Sequence, residues 1–342
     1  MPEAAPRPQT FEIAVIGATG TVGETLVQIL EELDFPVGTL YLLAGNNSAG
    51  ASVPFRGKNV RVKEVDEFDF SKAQLAFFAA GPAVTLSFAP RATAAGCSVI
   101  DLSGALPATQ APHVVPEANA HVLQGLKKPF QLGSPSPSAT NLAVVLAPLR
   151  GLLDIQRVSV TASLAMSAQG REAVSELARQ TAELLNMRPL EPKFFDRQVA
   201  FNLLAQVGTP DAQGHTVLEK RLVHELRAVL ELPLLKISAT CVQAPVFFGD
   251  SLTVSLQLGA AVDLAAVSRA LDAAPGIELV DEGDFPTAVG DAVGQDVVYV
   301  GRVRAGVDDP AELNLWLTSD NVRKGAALNA VQLAQLLIKD LA

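Results

Sequence analysis

The sequence predicts an α/β chain: a doubly wound parallel sheet first, then an α+β region with a mixed sheet. Three observations carry that prediction. Strand-like and helix-like stretches alternate from Phe11 to about Leu132. A glycine-rich turn joins the first strand to the first helix. Beyond it, several strand-like stretches follow one another with short connections, the pattern of mixed or antiparallel strands covered by helices on one face. A chain of 342 residues fits two domains.

The elements follow in order. EIAVIG reads as a buried strand, and TVGETLVQILEEL places Val22, Leu26, Ile29, Leu30 and Leu33 on one helical face. GTLYLLAG and VRVKEV are further strands, then AQLAFFAAG, the helix SFAPRATAAG and the strand SVIDLSG. The turn GSPSPSATN, residues 133–141, lies between the strand-like KPFQL and the helix-like LAVVLAPL. In it, Ser136 suits a helix N-cap and Pro137 a first helical residue. The second region reads as strand DIQRVSVTASLAM, helix REAVSELARQTAELL, a long irregular stretch, and helix TVLEKRLVHELRAVLEL. Strands KISATCVQAPVFFG and DSLTVSLQLG, helix AAVSRALDAA, strands YVGRVRAG and LNLWLTSDN, and a long helix from Arg323 complete it. The irregular stretch, RPLEPKFFDRQVAFNLLAQVG, is a surface excursion whose apolar AFNLLA needs cover, from a dimer partner or from its own domain.

Composition excludes several classes. The formal net charge of −10 argues against nucleic acid and against an anionic membrane as partners. No apolar run reaches membrane-spanning length. Cys97 and Cys241 are the only cysteines and lie in no CxxC or zinc spacing, which points to a reducing cytoplasm and to small core residues. Residues 1–10, MPEAAPRPQT, read as a disordered tail and not as a signal peptide. His224-Glu225 hints at a metalloprotease helix, but Ala228 stands where its second histidine belongs, so no metal site is expected. Lys127 and Lys128 read as a solvated loop.

Function enters at the glycine turn. Gly17, Gly20 and Gly23 follow the first strand and open the first helix, with Thr19, Thr21 and Val22 between and beside them. Glycines allow a tight turn and close backbone approach, and the helix N-terminus offers free N–H groups to a pyrophosphate. The alternative is a turn that merely packs strand on helix. Coenzyme choice is read at the end of the second strand, where an acid selects a free ribose and an arginine a 2′-phosphate. Here AGNNSAG, residues 44–50, carries neither, so NAD and NADP both stay open.

These motifs together resemble the aspartate-semialdehyde dehydrogenase family. The resemblance runs from Phe11 to the C-terminus: GATGTVG, SAG at 48–50, VVPEAN at 114–119, AFN at 200–202, and GHT followed by Glu219 and Arg221. It continues with CVQAPVFFGDS at 241–251, VGRVR at 300–304 and DNVRKGAALNAVQ at 320–332. It implies a homodimer with a Rossmann-like dinucleotide-binding domain over residues 11–135 and a dimerisation and substrate domain over 136–319. It also implies a C-terminal helix, 320–342, that packs back on the first domain. Dinucleotide contacts are implied at Gly17, Thr19, Gly20, Thr21, Val22, Asn47, Ser48, Ala49, Gly50 and Asn321. The family reaction is NADPH-dependent reductive dephosphorylation of aspartyl phosphate in amino-acid biosynthesis, through a cysteine thiolate, a histidine acid-base and arginines for carboxylate and phosphate.

The residues that carry this chemistry in the family are replaced here. The cysteine position of N-P-N-C-S-T falls on Pro137, flanked by Ser136 and Ser138. A serine hydroxyl is far less acidic than a thiol and needs an adjacent base. The histidine position is Asp250, whose carboxyl titrates too low for proton transfer near neutral pH unless burial raises it. The carboxylate-gripping arginine is Gln243, the active-site glutamine is Leu164, and the phosphate-binding arginine is Pro107. Glu219 and Arg221 are left as a solvated helix face or as a residual anion pocket. The chain looks like the cysteine-lacking, Usg-like branch of the family: a dinucleotide-binding dimeric pseudoenzyme. The alternatives are an oxidoreductase acting on another carbonyl substrate by direct hydride transfer, and a dehydrogenase using Ser136 or Ser138.

Overall fold

A computed structural model describes residues 9–338. The expected tail therefore falls outside the described residues except for its last two positions, as do the last four residues of the expected C-terminal helix. The chain forms two compact units: Met1–Pro112 with His121–Ser134 and Ala330–Ala342, and His113–Ala120 with Pro135–Asn329.

The first unit is built on β1 (Phe11–Ile16), α1 (Thr21–Glu32), β2 (Val37–Ala44), β3 (Ser52–Phe55), β4 (Lys58–Glu64), β5 (Leu75–Phe78), α2 (Pro82–Ala94), β6 (Ser98–Asp101) and β7 (Gln131–Gly133). The sheet order is β3-β4-β2-β1-β5-β6-β7. All pairs are parallel except the antiparallel edge pair β3 and β4. β5 is buried throughout, as a strand covered on both faces must be. The strand order reverses direction beside β1, and a ligand crevice in such a sheet lies at the carboxyl ends of the strands at that point. The turn Gly17–Gly20 is there.

Two of the motif's glycines, Gly17 and Gly23, are forced by contact. Gly17 has φ +83°, and a Cβ on it would lie 2.5 Å from the Ala79 carbonyl oxygen. A Cβ on Gly23 would lie 2.1 Å from the Gly17 carbonyl oxygen. The first turn of α1 therefore rides directly on the loop that precedes it.

The second unit contains α3 (Pro116–Asn119), α4 (Pro137–Leu146), β8 (Ile155–Leu164), α5 (Arg171–Leu185), α6 (Val217–Leu230), β9 (Lys236–Gln243), β10 (Asp250–Leu258), α7 (Leu264–Asp272), β11 (Ile277–Leu279), β12 (Val298–Ala305) and β13 (Glu312–Ser319). Its sheet order is β11-β12-β13-β10-β8-β9, with β8/β9 and β11/β12 parallel and the other pairs antiparallel. This is the expected mixed sheet. Leu252, Val254, Leu256 and Leu258 alternate along β10 into one core with Leu142 and Leu146 of α4, Leu226 and Val229 of α6 and Val267 and Leu271 of α7.

Three features differ from the sequence reading. Residues 113–120, expected with the first domain, belong to the second unit because Val115 joins that unit's core and Glu117 ion-pairs with the buried Lys324. The second unit likewise runs through Asn329, past the expected boundary at 319. The expected long terminal helix opens as a π-helical turn, Arg323–Leu328, before α8 (Asn329–Leu337). Asp320 accepts the N–H groups of Val322 and Arg323, both at 2.9 Å, and its carbonyl accepts from Gly325, which widens this turn. In the surface excursion, Val199 and Ala200 pack on α5 while Phe201 and Leu203 stay exposed, so the segment covers itself only in part.

Gly23→Ala is expected to lower unfolding free energy by roughly 3 kcal/mol, since the new methyl meets backbone that cannot yield. Gly151→Ala, with nothing within 4 Å, is expected to stay within about 0.5 kcal/mol of wild type. Equal denaturant midpoints for the two variants would refute the close contact.

Candidate functional site

In the first unit, Gly20 is the N-cap of α1 and brings no side chain to it, which leaves the first-turn N–H groups, Thr21 and Val22 among them, to other acceptors. Thr19 lies in the turn just before it. At the end of β2, Asn46–Ser48 form a 3-10 turn, Asn47 is exposed, Ala49 follows it, and Gly50 has φ +90°. One cation escaped the reading of residues 44–50. Arg61 on β4 places its Nη2 3.9 Å from where a Cβ on Gly50 would stand. The signal is tertiary: β4 lies parallel to β2, and Gly50 N–H bonds the neighbouring Val62 carbonyl at 3.0 Å. Pro107 is exposed in the loop after β6 and shapes a turn, its carbonyl accepting from Gln110 and Ala111.

In the second unit, Pro137 opens α4 as expected, with Ser136 at the N-cap. The Ser136 side chain makes no cap bond, contrary to expectation. Its hydroxyl donates to the Glu225 carboxylate at 2.5 Å, and its N–H donates to the same oxygen at 2.7 Å. Arg221 Nε donates to the other Glu225 oxygen at 2.6 Å. Ser136 and Glu225 are both buried. Ser138 is buried one position after Pro137. The proline ring faces the π-helical turn, where a Cβ on Gly325 would lie 2.7 Å from Pro137 Cβ.

Glu219 and Arg221 prove to be neither a solvated face nor a free anion pocket. Glu219 closes a capping box with Thr216 at the start of α6 and also accepts from the Cys241 N–H at 3.2 Å. Arg221 serves Glu225.

Leu164, Gln243, Asp250 and Asn321 come together around the 3-10 turn Met166–Gln169. Gln243 is buried and donates through Nε2 to the Leu164 carbonyl at 2.8 Å, while its Oε1 has no partner. The Leu164 side chain is buried in the core. Asn321 is buried, its Oδ1 accepting from Ser167 Oγ at 3.1 Å and Gly249 N–H at 3.0 Å. Asp250 is fully buried, with one oxygen accepting from the Ala165 N–H at 2.8 Å and the other unpartnered. Burial first, and the nearby Asp320 carboxylate next, push its carboxyl up to about 7 against the opposing Ala165 hydrogen bond. The ordinary carboxylate range expected for an exposed residue therefore does not apply.

Both thiols are core groups, as expected, with Cys97 just before β6 and Cys241 within β9. Burial pushes each up to about 12, and Glu219 and Asp250 add to the effect at Cys241. No cluster of metal-ligating side chains occurs among the described residues, and no described helix is long and apolar enough to cross a membrane.

Comparison with known proteins agrees with this geometry. Residues 12–126 match the model of the semialdehyde dehydrogenase NAD-binding domain, and residues 146–324 that of the semialdehyde dehydrogenase dimerisation domain. A USG-1 protein homolog of Azotobacter vinelandii is 61% identical over 96% of this chain and 98% of its own. The structure of a probable aspartate-semialdehyde dehydrogenase from Pseudomonas aeruginosa superposes with a TM-score of 0.95 at 59% identity, covering 97% of this chain and 99% of that one. Aspartate semialdehyde dehydrogenase II from Vibrio cholerae, in complex with ASA, gives 0.94 at 40% identity with the same coverage. The chain therefore belongs to the semialdehyde dehydrogenase family, with that family's NAD-binding and dimerisation domains.

Proposed function

We propose that this chain is a dimeric, nicotinamide-dinucleotide-binding member of the family that does not carry out thiol-dependent aspartate-semialdehyde dehydrogenation. One observation supports the reading: both thiols of the chain are buried and pushed up to about 12, while Pro137, where the motif resemblance puts the family's nucleophile, starts a helix. The neighbouring Ser136 hydroxyl is committed to Glu225. Neither Gln243 nor Pro107 offers the guanidinium fork that grips a carboxylate or phosphate.

The dinucleotide lies on the glycine turn, and Arg61 beside Gly50 favours a 2′-phosphate, hence NADP over NAD. A second reading has one observation in its favour. A carboxyl that titrates near 7 suits proton donation to a carbonyl during direct hydride transfer, and Asp250 is such a group. Its complete burial weighs against it.

Calorimetry is expected to show NADP(H) binding more tightly than NAD(H), with Arg61→Ala closing most of that gap. No binding of either at millimolar concentration would remove the cofactor assignment. Phosphate-dependent reduction of NADP with aspartate semialdehyde is expected to be absent, and turnover within about tenfold of a cysteine-containing relative would overturn the first reading. Asp250 keeps its proton up to about pH 7 when folded and loses it near 4 when unfolded, so the native state binds the extra proton. Stability should therefore fall as pH rises from about 4 through 7, by at most about 4 kcal/mol from this group. Asp250→Asn should flatten that part of the profile; parallel profiles for variant and wild type would exclude the titration.

A further inference from the structure

The excursion between α5 and α6 lines a pocket of about 770 Å³ in the second unit, together with Gln169 and Gln243. Its walls combine apolar side chains, Phe194, Phe195 and Leu204 among them, with a larger polar share. The pocket offers no uncommitted cation. Arg197, its one arginine, holds Asp196 in a two-point pair at 2.8 and 2.7 Å, so these two charges cancel.

Three of the four side-chain amides in the lining are turned one way. A backbone carbonyl can only accept, so an amide that reaches one must point its nitrogen there and its oxygen elsewhere. Asn202 turns its nitrogen to the Gln198 carbonyl at 3.1 Å, and Gln206 to the Gly208 carbonyl at 2.9 Å. Gln243 does the same to Leu164 at 2.8 Å. Its backbone is fixed as well, exchanging hydrogen bonds with Leu204 at 2.8 and 3.1 Å. The Gln243 side chain thus has a settled orientation, is 1% exposed, and keeps a buried carbonyl oxygen with no donor. An unpaired buried acceptor costs free energy that a ligand donor would recover.

We infer that this pocket takes a small neutral ligand presenting a hydrogen-bond donor, a carboxamide or an alcohol, to Gln243 Oε1. A carboxylate would bring negative charge against that oxygen with no free guanidinium to offset it. An ammonium would find no uncommitted carboxylate. The assignment goes beyond the proposed function, since it requires neither a reaction nor a bound dinucleotide.

The test is ligand-observed NMR on the full chain with propionamide, propionate and propylammonium as probes. Propionamide is expected to bind at least about tenfold more tightly than propionate, and Gln243→Met to weaken it about tenfold through loss of the acceptor. Leu203→Trp, at an exposed lining position, is expected to block the pocket with Gln243 intact, and it decides the matter if Gln243→Met does not fold. Propionate or propylammonium binding as tightly as propionamide would overturn the inference. So would propionamide affinity that is unchanged in Leu203→Trp. NADP affinity measured on the same samples reports separately on the cofactor reading, because the pocket residues and the glycine turn lie in different units.

Discussion

The carboxylate of Glu225 fixes what the turn before α4 can be. It is buried and charged, and a charge in that position must be paired and hydrogen-bonded or the fold loses several kcal/mol. Three donors satisfy it: the Ser136 N–H, the Ser136 hydroxyl and the Arg221 guanidinium. The first two come from the N-cap residue of α4 and the third from α6, which also carries Glu225, so one carboxylate ties α4 to α6. The same two helices pack behind the mixed sheet through Leu142, Leu146, Leu226 and Val229. A hydroxyl held so closely by a buried carboxylate, next to a proline ring against the Gly325 backbone, is part of a joint. The strand-to-helix turn has the position of a reactive turn and the bonding of a structural one.

Three other cations of the second unit are paired in the same way. Arg179 pairs with Glu176 and Glu183, Arg197 with Asp196, and the buried Lys324 with Glu117. A site built for an anionic substrate needs a cation left over in a protected place. Around Gln243 and Asp250 the balance runs the other way: a buried amide oxygen and a buried carboxyl oxygen both lack donors. Burial raises the carboxyl toward its neutral form, a response the amide does not have. These two groups are physically coherent together in a neutral site, and either would be costly beside a bound carboxylate.

The amino-acid sequence showed the two sheets clearly, because β5 is a continuous apolar run and β10 alternates strictly. It showed the glycine turn for the same reason: the constraint is local, carried by residues within one turn of α1. It missed the short edge strands β3 and β11, which bury too little to leave a periodic signature. It also missed side-chain contacts that only the folded sheet and core bring together. Arg61 reaches Gly50 across parallel strands, and Glu225 reaches Ser136 across 89 positions. The burial of Asp250 follows from β10 lying between β8 and β13, which no window around residue 250 reveals. Glu219 and Arg221 differ: the Thr216 capping box and the Glu225 pair lie within one helical turn and were legible locally, and only the Cys241 contact is not.

How far the glycine turn speaks for a ligand depends on which glycine is considered. Gly17 and Gly23 are required by packing alone, because a Cβ at either meets backbone closer than 3.0 Å. Their presence says that β1, the loop and α1 fit together, with or without a nucleotide. Gly20 is different. A Cβ there would lie 3.3 Å from the Gly17 carbonyl oxygen, a contact that a small shift relieves, and its φ of −77° suits any residue. It occupies the N-cap, where serine, threonine, asparagine or aspartate would stabilise α1 by about 1 kcal/mol. Glycine gives up that stabilisation and leaves the helix N-terminus without a side chain over it. Packing does not ask for this, and an anion that docks on the bare N–H groups does. Gly20, more than the two glycines that complete the motif, is the residue that speaks for a bound anion.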